Sequence, residues 1–277
     1  MSPTWDKGTH PDMPKTDLAG WLRVFLRGAV LIVLVFGGLI CLLALRLVEW
    51  PLYGQHRPIT PYITQFVCRS AFRILGMGFA ISGTPMTHRG AVVANHSSWL
   101  DIFALNAAKR IYFVSKAEVA KWPGIGWLAR ATGTVFIERN PARARAQTQM
   151  FEQRLLAGHK LLFFPEGTST DGLQVLPFKT TLFQAFLAPN LREEIYVQPV
   201  AVVYRAPYGT DQRFYGWWGS MEFGAHLLAT LAPARPGSVS VTYCTPLKVA
   251  EFPDRKALAA ACEASVRSAH TKALAAQ

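Results

Sequence analysis

Hydrophobic positions change their rhythm along the 277-residue chain. From Gly28 to Leu45 they run unbroken as GAVLIVLVFGGLICLLAL, 18 residues without a charge. Coiled as a helix, such a run rises ~27 Å, close to the hydrocarbon thickness of a bilayer. Arg23 and Arg27 precede it, as in a signal peptide. The run is longer than the usual core of such a peptide, and no small-residue cleavage site follows before Arg46, Glu49 and Trp50, so the segment is predicted to be retained. Its length fits two arrangements, a single span and a helical hairpin that dips into one leaflet. From Ile59 to Phe79 aromatic and apolar residues are interrupted by Arg69 and Arg73, which predicts an amphipathic helix at the interface or against the domain.

Beyond Gly83 and Pro85 the rhythm becomes one of short apolar runs separated by helical stretches. Ala91 to Ala94, Ile111 to Val114, Val135 to Ile137 and Lys160 to Phe164 are predicted strands, and Trp99 to Ala108 and Arg143 to Leu156 predicted helices, the latter started by Asn140 and Pro141. Thr180 to Leu187 reads as helical, Tyr196 to Tyr204 and Val239 to Tyr243 as strands, and Arg255 to Ala275 as an alanine-rich helix. The aromatic stretch from Tyr215 leads into a helix that Pro233 to Gly237 breaks. The pattern predicts an α/β fold, a mixed and mostly parallel sheet flanked by helices, with an N-terminal membrane-embedded helical segment. Residues 1–82 are expected to form that membrane-associated segment and 83–277 the α/β domain.

Composition agrees with a membrane-associated protein. Hydrophobic residues make up 51% of the chain and charged residues 17%, so it is greasier than an average soluble protein. A formal charge of +12 favours an anionic bilayer or another polyanion. Lys7, Lys15, Arg23 and Arg27 before the apolar run, against Arg46 and Arg57 after it, give only a small orientation bias. Cys41, Cys68, Cys244 and Cys262 form no metal-binding or disulfide pattern.

Three polar constellations follow predicted strands. Asn95, His96, Ser97, Ser98, Trp99, Leu100 and Asp101 come after the first. If Ser97 or Ser98 caps the next helix, the Asp101 carboxylate reaches back to an imidazole nitrogen of His96, fixing its tautomer and stabilising the protonated ring. His96 then accepts a hydroxyl proton at neutral pH. The competing reading is structural, with His96 packing the turn and Asp101 capping backbone. Phe164, Pro165, Glu166, Gly167, Thr168 and Ser169 place a carboxylate and two hydroxyls on a glycine turn, suited to ordering a polar substrate or simply to capping. Gly133 to Arg139, GTVFIER, ends in a guanidinium able to grip a phosphate through paired hydrogen bonds. Open α/β sheets place their sites at such strand ends.

Together these blocks resemble the glycerolipid acyltransferase family typified by bacterial 1-acyl-sn-glycerol-3-phosphate acyltransferase. NHSSWLD from Asn95, GTVFIER from Gly133, FPEGTS from Phe164 and VQPVAV from Val197 occur in family order, with the stretch from Lys116 to Ala129 similar to the region that precedes the second block. Gln198 departs from the family pattern, which has valine or isoleucine before Pro199. The resemblance implies that His96 is the general base and Asp101 its orienter. It implies that Arg139 binds the acceptor phosphate with Glu166, Gly167 and Thr168 placing it, that Lys116 lies near the transfer centre, and that Pro199 shapes the pocket. No cofactor is implied. Acyl-CoA or acyl-ACP donates the acyl group, and the leading acceptor is the sn-2 hydroxyl of 1-acyl-sn-glycerol-3-phosphate, giving phosphatidic acid. Lyso-ornithine lipid, which carries its hydroxyl on a fatty chain, is the alternative acceptor, and the YGWWGSMEF stretch resembles a feature of that wider branch. The implied setting is a bacterial inner membrane with the catalytic domain facing the cytoplasm.

Other classes lack their motifs. The chain has no HExxH, no GxSxG elbow and no GxxxxGK[ST] loop, and Gly124 to Gly126 falls short of a dinucleotide fingerprint. Dispersed arginines and the lack of an RNP-like strand argue against nucleic acid as partner. A non-catalytic lipid-binding protein is the remaining alternative.

Overall fold

In the computed structural model of the chain, residues 5–7, 9–138 and 144–276 are described, with the backbone alone at 144 and 145. The central strands form because alternate residues have a core on either side. Val92, Ala94, Leu162, Val200 and Val202 face one core, shared with Val24, Phe72, Leu105 and Leu231 from helices. Ala91, Val93, Leu161, Phe163, Val197 and Ala201 face a second, shared with Leu155, Phe186, Leu258 and Val266.

The strands are β1 (Gly78–Ser82), β2 (Gly90–Ala94), β3 (Tyr112–Lys116), β4 (Val135–Ile137), β5 (Leu161–Phe163), β6 (Tyr196–Arg205), β7 (Ser238–Tyr243) and β8 (Leu247–Lys248). Their order is β1-β7-β6-β2-β5-β3-β4, with β8 beside β6. β6 pairs antiparallel with β7 and β8, and the other pairings are parallel. Helices α1 (Leu18–Tyr53), α2 (Thr60–Leu75), α3 (Asp101–Ala108) and α6 (Phe223–Leu231) contribute to the first core, while α5 (Ala144–Leu156) and α7 (Arg255–Ala275) contribute to the second. The short α4 (Ile125–Ala131) leads into β4. The predicted mixed, mostly parallel sheet flanked by helices is therefore present.

Some predicted elements differ in detail in the structure. The helix read from Ile59 to Phe79 stops at Leu75, because Gly76 takes a left-handed φ of 72° and the Met77 N–H closes on the Phe72 carbonyl at 3.0 Å. The residues after it become β1, paired with β7. Thr180–Leu187 is a 3₁₀ helix. Its buried Phe183 and Phe186 are three apart, matching that tighter turn, and Pro189 holds Ala188 extended at its end. The helix start read at Asn140 and Pro141 lies outside the described residues.

Helix α1 is long and apolar enough to cross a membrane. Its 36 residues correspond to ~54 Å of helix. One narrow stripe packs on the protein. Val24 and Leu42 are buried, Leu31 packs on the first core, and a Cβ at Gly38 would stand 2.5 Å from Val67 Cγ2 on α2. Near its start, Arg23 Nε donates to the Ala232 carbonyl at 2.7 Å, and Arg27 Nη1 to the carbonyls of Leu231 and Pro233, both at 2.7 Å. These guanidiniums satisfy carbonyls at the C-terminal end of α6. At the other end, the buried Glu49 accepts from the Ile59 and Thr60 amides and the Thr60 hydroxyl, closing the N-terminus of α2. The rest of α1, including Phe25, Ile32, Val33, Phe36, Ile40 and Leu47, is exposed. An exposed apolar surface of this length is a membrane-contacting one.

Gln198, the departure before Pro199, has a structural role. Its amide nitrogen donates to the Thr84 and Cys244 carbonyls, both at 2.9 Å, and its oxygen accepts from the Met86 amide at 2.8 Å. It ties the segment leading into β2 to the sheet where β6 passes from β8 to β7. Pro199, buried beside Val93 of β2, sits in that gap. Replacing Gln198 by leucine removes the side-chain partner of three backbone groups, among them the buried Met86 amide. We expect Gln198→Leu to lower stability by about 2–5 kcal/mol in denaturant titration, with the pH profile of activity unchanged in whatever protein remains folded.

Candidate active site

The register between β2 and β5 brings the first and third blocks together. Val93 lies beside Phe163 in a parallel pair, so His96 and Glu166, each three residues further on, leave the sheet side by side. His96 N–H donates to Glu166 Oε1 at 2.7 Å, and the His96 ring stacks on Phe164 with centroids 4.0 Å apart and planes inclined by 11°. The loop is held on its other side by Thr170 N–H on the His96 carbonyl at 3.0 Å and Trp217 N–H on the Ser97 carbonyl at 2.8 Å.

His96 Nδ1 and Asp101 Oδ2 are 2.7 Å apart. The same oxygen accepts from the Ser97 and Ser98 amides at 2.9 and 3.0 Å, and Asp101 Oδ1 accepts from the Tyr204 hydroxyl at 2.7 Å. Asp101 has no exposed surface, whereas the His96 side chain is 21% exposed. A carboxylate at Nδ1 fixes the proton on that nitrogen and leaves the Nε2 lone pair outward, the arrangement of a general base. The anticipated serine cap is replaced by a reversed one. The carboxylate of Asp101 collects the turn amides, so α3 begins at Asp101 and not at Trp99.

Glu166 is 1% exposed and both its oxygens are occupied, Oε1 by His96 N–H and Oε2 by Leu176 N–H at 2.9 Å. It braces the His96 loop. Gly167 takes a φ of 72°, so the turn needs glycine for its conformation, and a Cβ there would meet the movable end of Lys179, 2.7 Å from Nζ. That lysine, absent from the sequence reading, thus lies over the glycine turn. Thr168 accepts the Trp5 amide through its hydroxyl at 3.2 Å. Lys116 ends β3 opposite Ile137 of β4, and Pro199 lies within the sheet. Arg139 lies outside the described residues.

An aromatic row borders the site. Trp99 donates to His226 Nδ1 at 2.9 Å and meets Phe223 edge-on at 5.4 Å. Phe223 meets Trp217 at 6.2 Å, and Trp217 meets the partly exposed Trp122 at 6.5 Å. Burial pushes His226 down to about 4, keeping it neutral against Trp99. Trp218 is buried apart from this row, against the rings of Trp5 and His10. Tyr204 is the member of the site that sequence reading missed, since 103 residues separate it from Asp101 and no local motif marks it.

Burial pushes the Glu166 carboxyl from its ordinary 4.5 up to about 8, and its two amide donors pull the other way. Because the folded value lies above the unfolded one, this group stabilises the fold below about pH 4.5 and that contribution is lost as pH rises to about 8. Glu166→Gln cannot titrate, and it turns an NH2 toward one of the two amides, at a cost of about 1–3 kcal/mol. We expect the stability gap between wild type and Glu166→Gln, measured by denaturant unfolding, to be wider at about pH 5 than at about pH 8.

The acyltransferase family model matches residues 80–203. The lyso-ornithine lipid O-acyltransferase of Rhodobacter capsulatus is 59% identical over 258 residues, covering 93% of each chain. A 1-acyl-sn-glycerol-3-phosphate acyltransferase of Neisseria gonorrhoeae is 38% identical over 120 residues, 42% of this chain and 47% of that one. The crystal structure of the 1-acyl-sn-glycerophosphate acyltransferase from Thermotoga maritima superposes with a TM-score of 0.65 at 20% identity, covering 92% of this chain and 96% of that one, which establishes a shared fold. The chain is an enzyme and belongs to the acyltransferase family.

Proposed function

We propose that this protein transfers a fatty acyl group from a thioester, acyl-CoA or acyl-ACP, to the hydroxyl of lyso-ornithine lipid. The observation that carries this reading is the 59% identity, spanning 93% of both chains, with a lyso-ornithine lipid O-acyltransferase. The similarity to a 1-acyl-sn-glycerol-3-phosphate acyltransferase is confined to 42% of the chain, so the phosphate acceptor favoured by the motifs alone gives way to the ornithine-containing one.

In this mechanism His96 Nε2 removes the proton from the acceptor hydroxyl as its oxygen attacks the thioester carbonyl. The tetrahedral intermediate collapses with cleavage of the carbon–sulfur bond, and the departing thiolate takes the proton from the imidazolium. Asp101, bonded to Nδ1 at 2.7 Å, stabilises the imidazolium between the two steps. No acyl-enzyme is required. Lys116, at the end of β3, is assigned to the transfer centre, and Arg139, two residues beyond β4 in the chain, to the acceptor carboxylate. Glu166 and Gly167 serve through the turn that holds His96, and Thr168 borders the acceptor path. Pro199 acts at a distance by keeping β6 in register.

The stripe of α1 packed on α2 and α6 supports one-leaflet insertion, since a helix crossing the bilayer would take those elements with it. The catalytic domain then lies on the cytoplasmic face, where acyl thioesters are made, and the +12 charge favours an anionic leaflet.

The test is mass-resolved product formation by the full chain in anionic vesicles, with lyso-ornithine lipid and 1-acyl-sn-glycerol-3-phosphate supplied separately with each donor. Ornithine lipid should form, and His96→Ala should lower the rate by about 10²–10⁴-fold with vesicle binding retained. Turnover of the phosphate acceptor alone overturns the acceptor, and an active His96→Ala variant overturns the mechanism.

A further inference from the structure

We infer that Tyr204 is a positioning residue for acyl transfer, its hydroxyl holding Asp101 in place and thereby setting the basicity of His96. The inference rests on His96 being the general base. Its basis is an asymmetry in how the Asp101 carboxylate is held. His96 Nδ1 and the amides of Ser97 and Ser98 all converge on Oδ2. Among the described hydrogen bonds, Oδ1 has one partner, the Tyr204 hydroxyl at 2.7 Å. Asp101 has no exposed surface, so water does not replace that donor.

Packing alone does not call for a tyrosine here. Val200, Val202 and Tyr204 present one face of β6 to the first core, where a phenylalanine ring would fill the same space. The hydroxyl is the added feature, and a phenol in an apolar core is tolerated when it finds an acceptor. Burial and the Asp101 charge hold Tyr204 far above its ordinary range of ionisation, which makes it a permanent donor. By bonding to Oδ1 it stops the carboxylate from turning about its Cβ–Cγ bond and draws charge away from Oδ2. A carboxylate so stabilised grips the imidazolium less tightly than one that lacks the phenol.

Other titratable groups flank this chain of contacts. Glu166, from the turn after β5, receives the His96 amide. Tyr215, ahead of α6, has its ring 5.8 Å from that of Tyr204, and Arg27 of α1 lies within electrostatic reach of Tyr215. His226 of α6 is bonded to Trp99. Among the described residues the ion-pair partner of Asp101 is His96.

The experiment is the pH dependence of kcat/KM for the acceptor in wild type, Tyr204→Phe, Asp101→Asn and the double variant, with His96→Ala alongside. Without the phenol, the acid limb of Tyr204→Phe should move up by about one pH unit, so the rate on that limb falls about tenfold and returns in alkali, with KM unchanged. The double variant should be no slower than Asp101→Asn, because both changes act through one carboxylate. Site-specific 3-fluorotyrosine at 204 keeps the shape, strengthens the donor and should move the limb the other way, which covers a Tyr204→Phe protein that fails to fold. An unmoved limb in both replacements, or losses that multiply in the double variant, overturns the inference. If His96→Ala is active, the general-base reading itself has failed. If it is inactive and the limb is unmoved, only the role of Tyr204 falls.

Discussion

The Asp101 carboxylate has no exposed surface, and an ion so placed is tolerated only when donors replace the water it has lost. Four do so here, the His96 ring, the Ser97 and Ser98 amides and the Tyr204 hydroxyl. Each comes from a different constraint. The amides are available because the chain turns sharply after β2, the phenol because β6 lies beside β2, and the imidazole because five residues separate it from the aspartate. Meeting the needs of one buried charge therefore fixes the turn, the start of α3 and the orientation of the His96 ring together.

Hydrogen bonds also link the membrane-facing helix to the His96 loop. Arg23 and Arg27 fasten α1 to the end of α6, and His226 of α6 fixes the indole of Trp99, three residues beyond His96. Trp217, ahead of that helix, donates its amide to Ser97. The apolar surface of α1 and the His96 loop thus share one neighbour, α6 and the segment that leads into it. A lyso-lipid acceptor, with its chain in the leaflet and its hydroxyl near the headgroups, is the kind of substrate such a layout serves.

Much of this was legible in the sequence, for physical reasons that differ by element. β2, β5 and β6 are buried on both faces, so their apolar runs announced them, and α7 carried its own alanine-rich signal. The His96–Asp101 pair was readable because a five-residue separation across a turn brings the side chains together whatever the rest of the fold does. β1 was hidden because it is exposed along an edge and follows an amphipathic helix without an apolar run of its own. Tyr204 was hidden because its partner is remote in sequence, and the bracing role of Glu166 because it depends on the β2–β5 register. Gln198 looked like an anomaly in a motif, and only its three backbone partners give it a reason. The acceptor was least legible, since a guanidinium serves a phosphate and a carboxylate equally well.

The central claim is that the buried carboxylate holds His96 as the Nδ1–H tautomer with Nε2 free to take a proton. The most direct measurement is nitrogen NMR of the full chain in lipid nanodiscs, with the seven histidines labelled in the ring and His96 assigned from a His96→Gln variant. At a pH where the ring is neutral, the account predicts a protonated Nδ1 and an unprotonated Nε2. A neutral ring carrying its proton on Nε2 would contradict it.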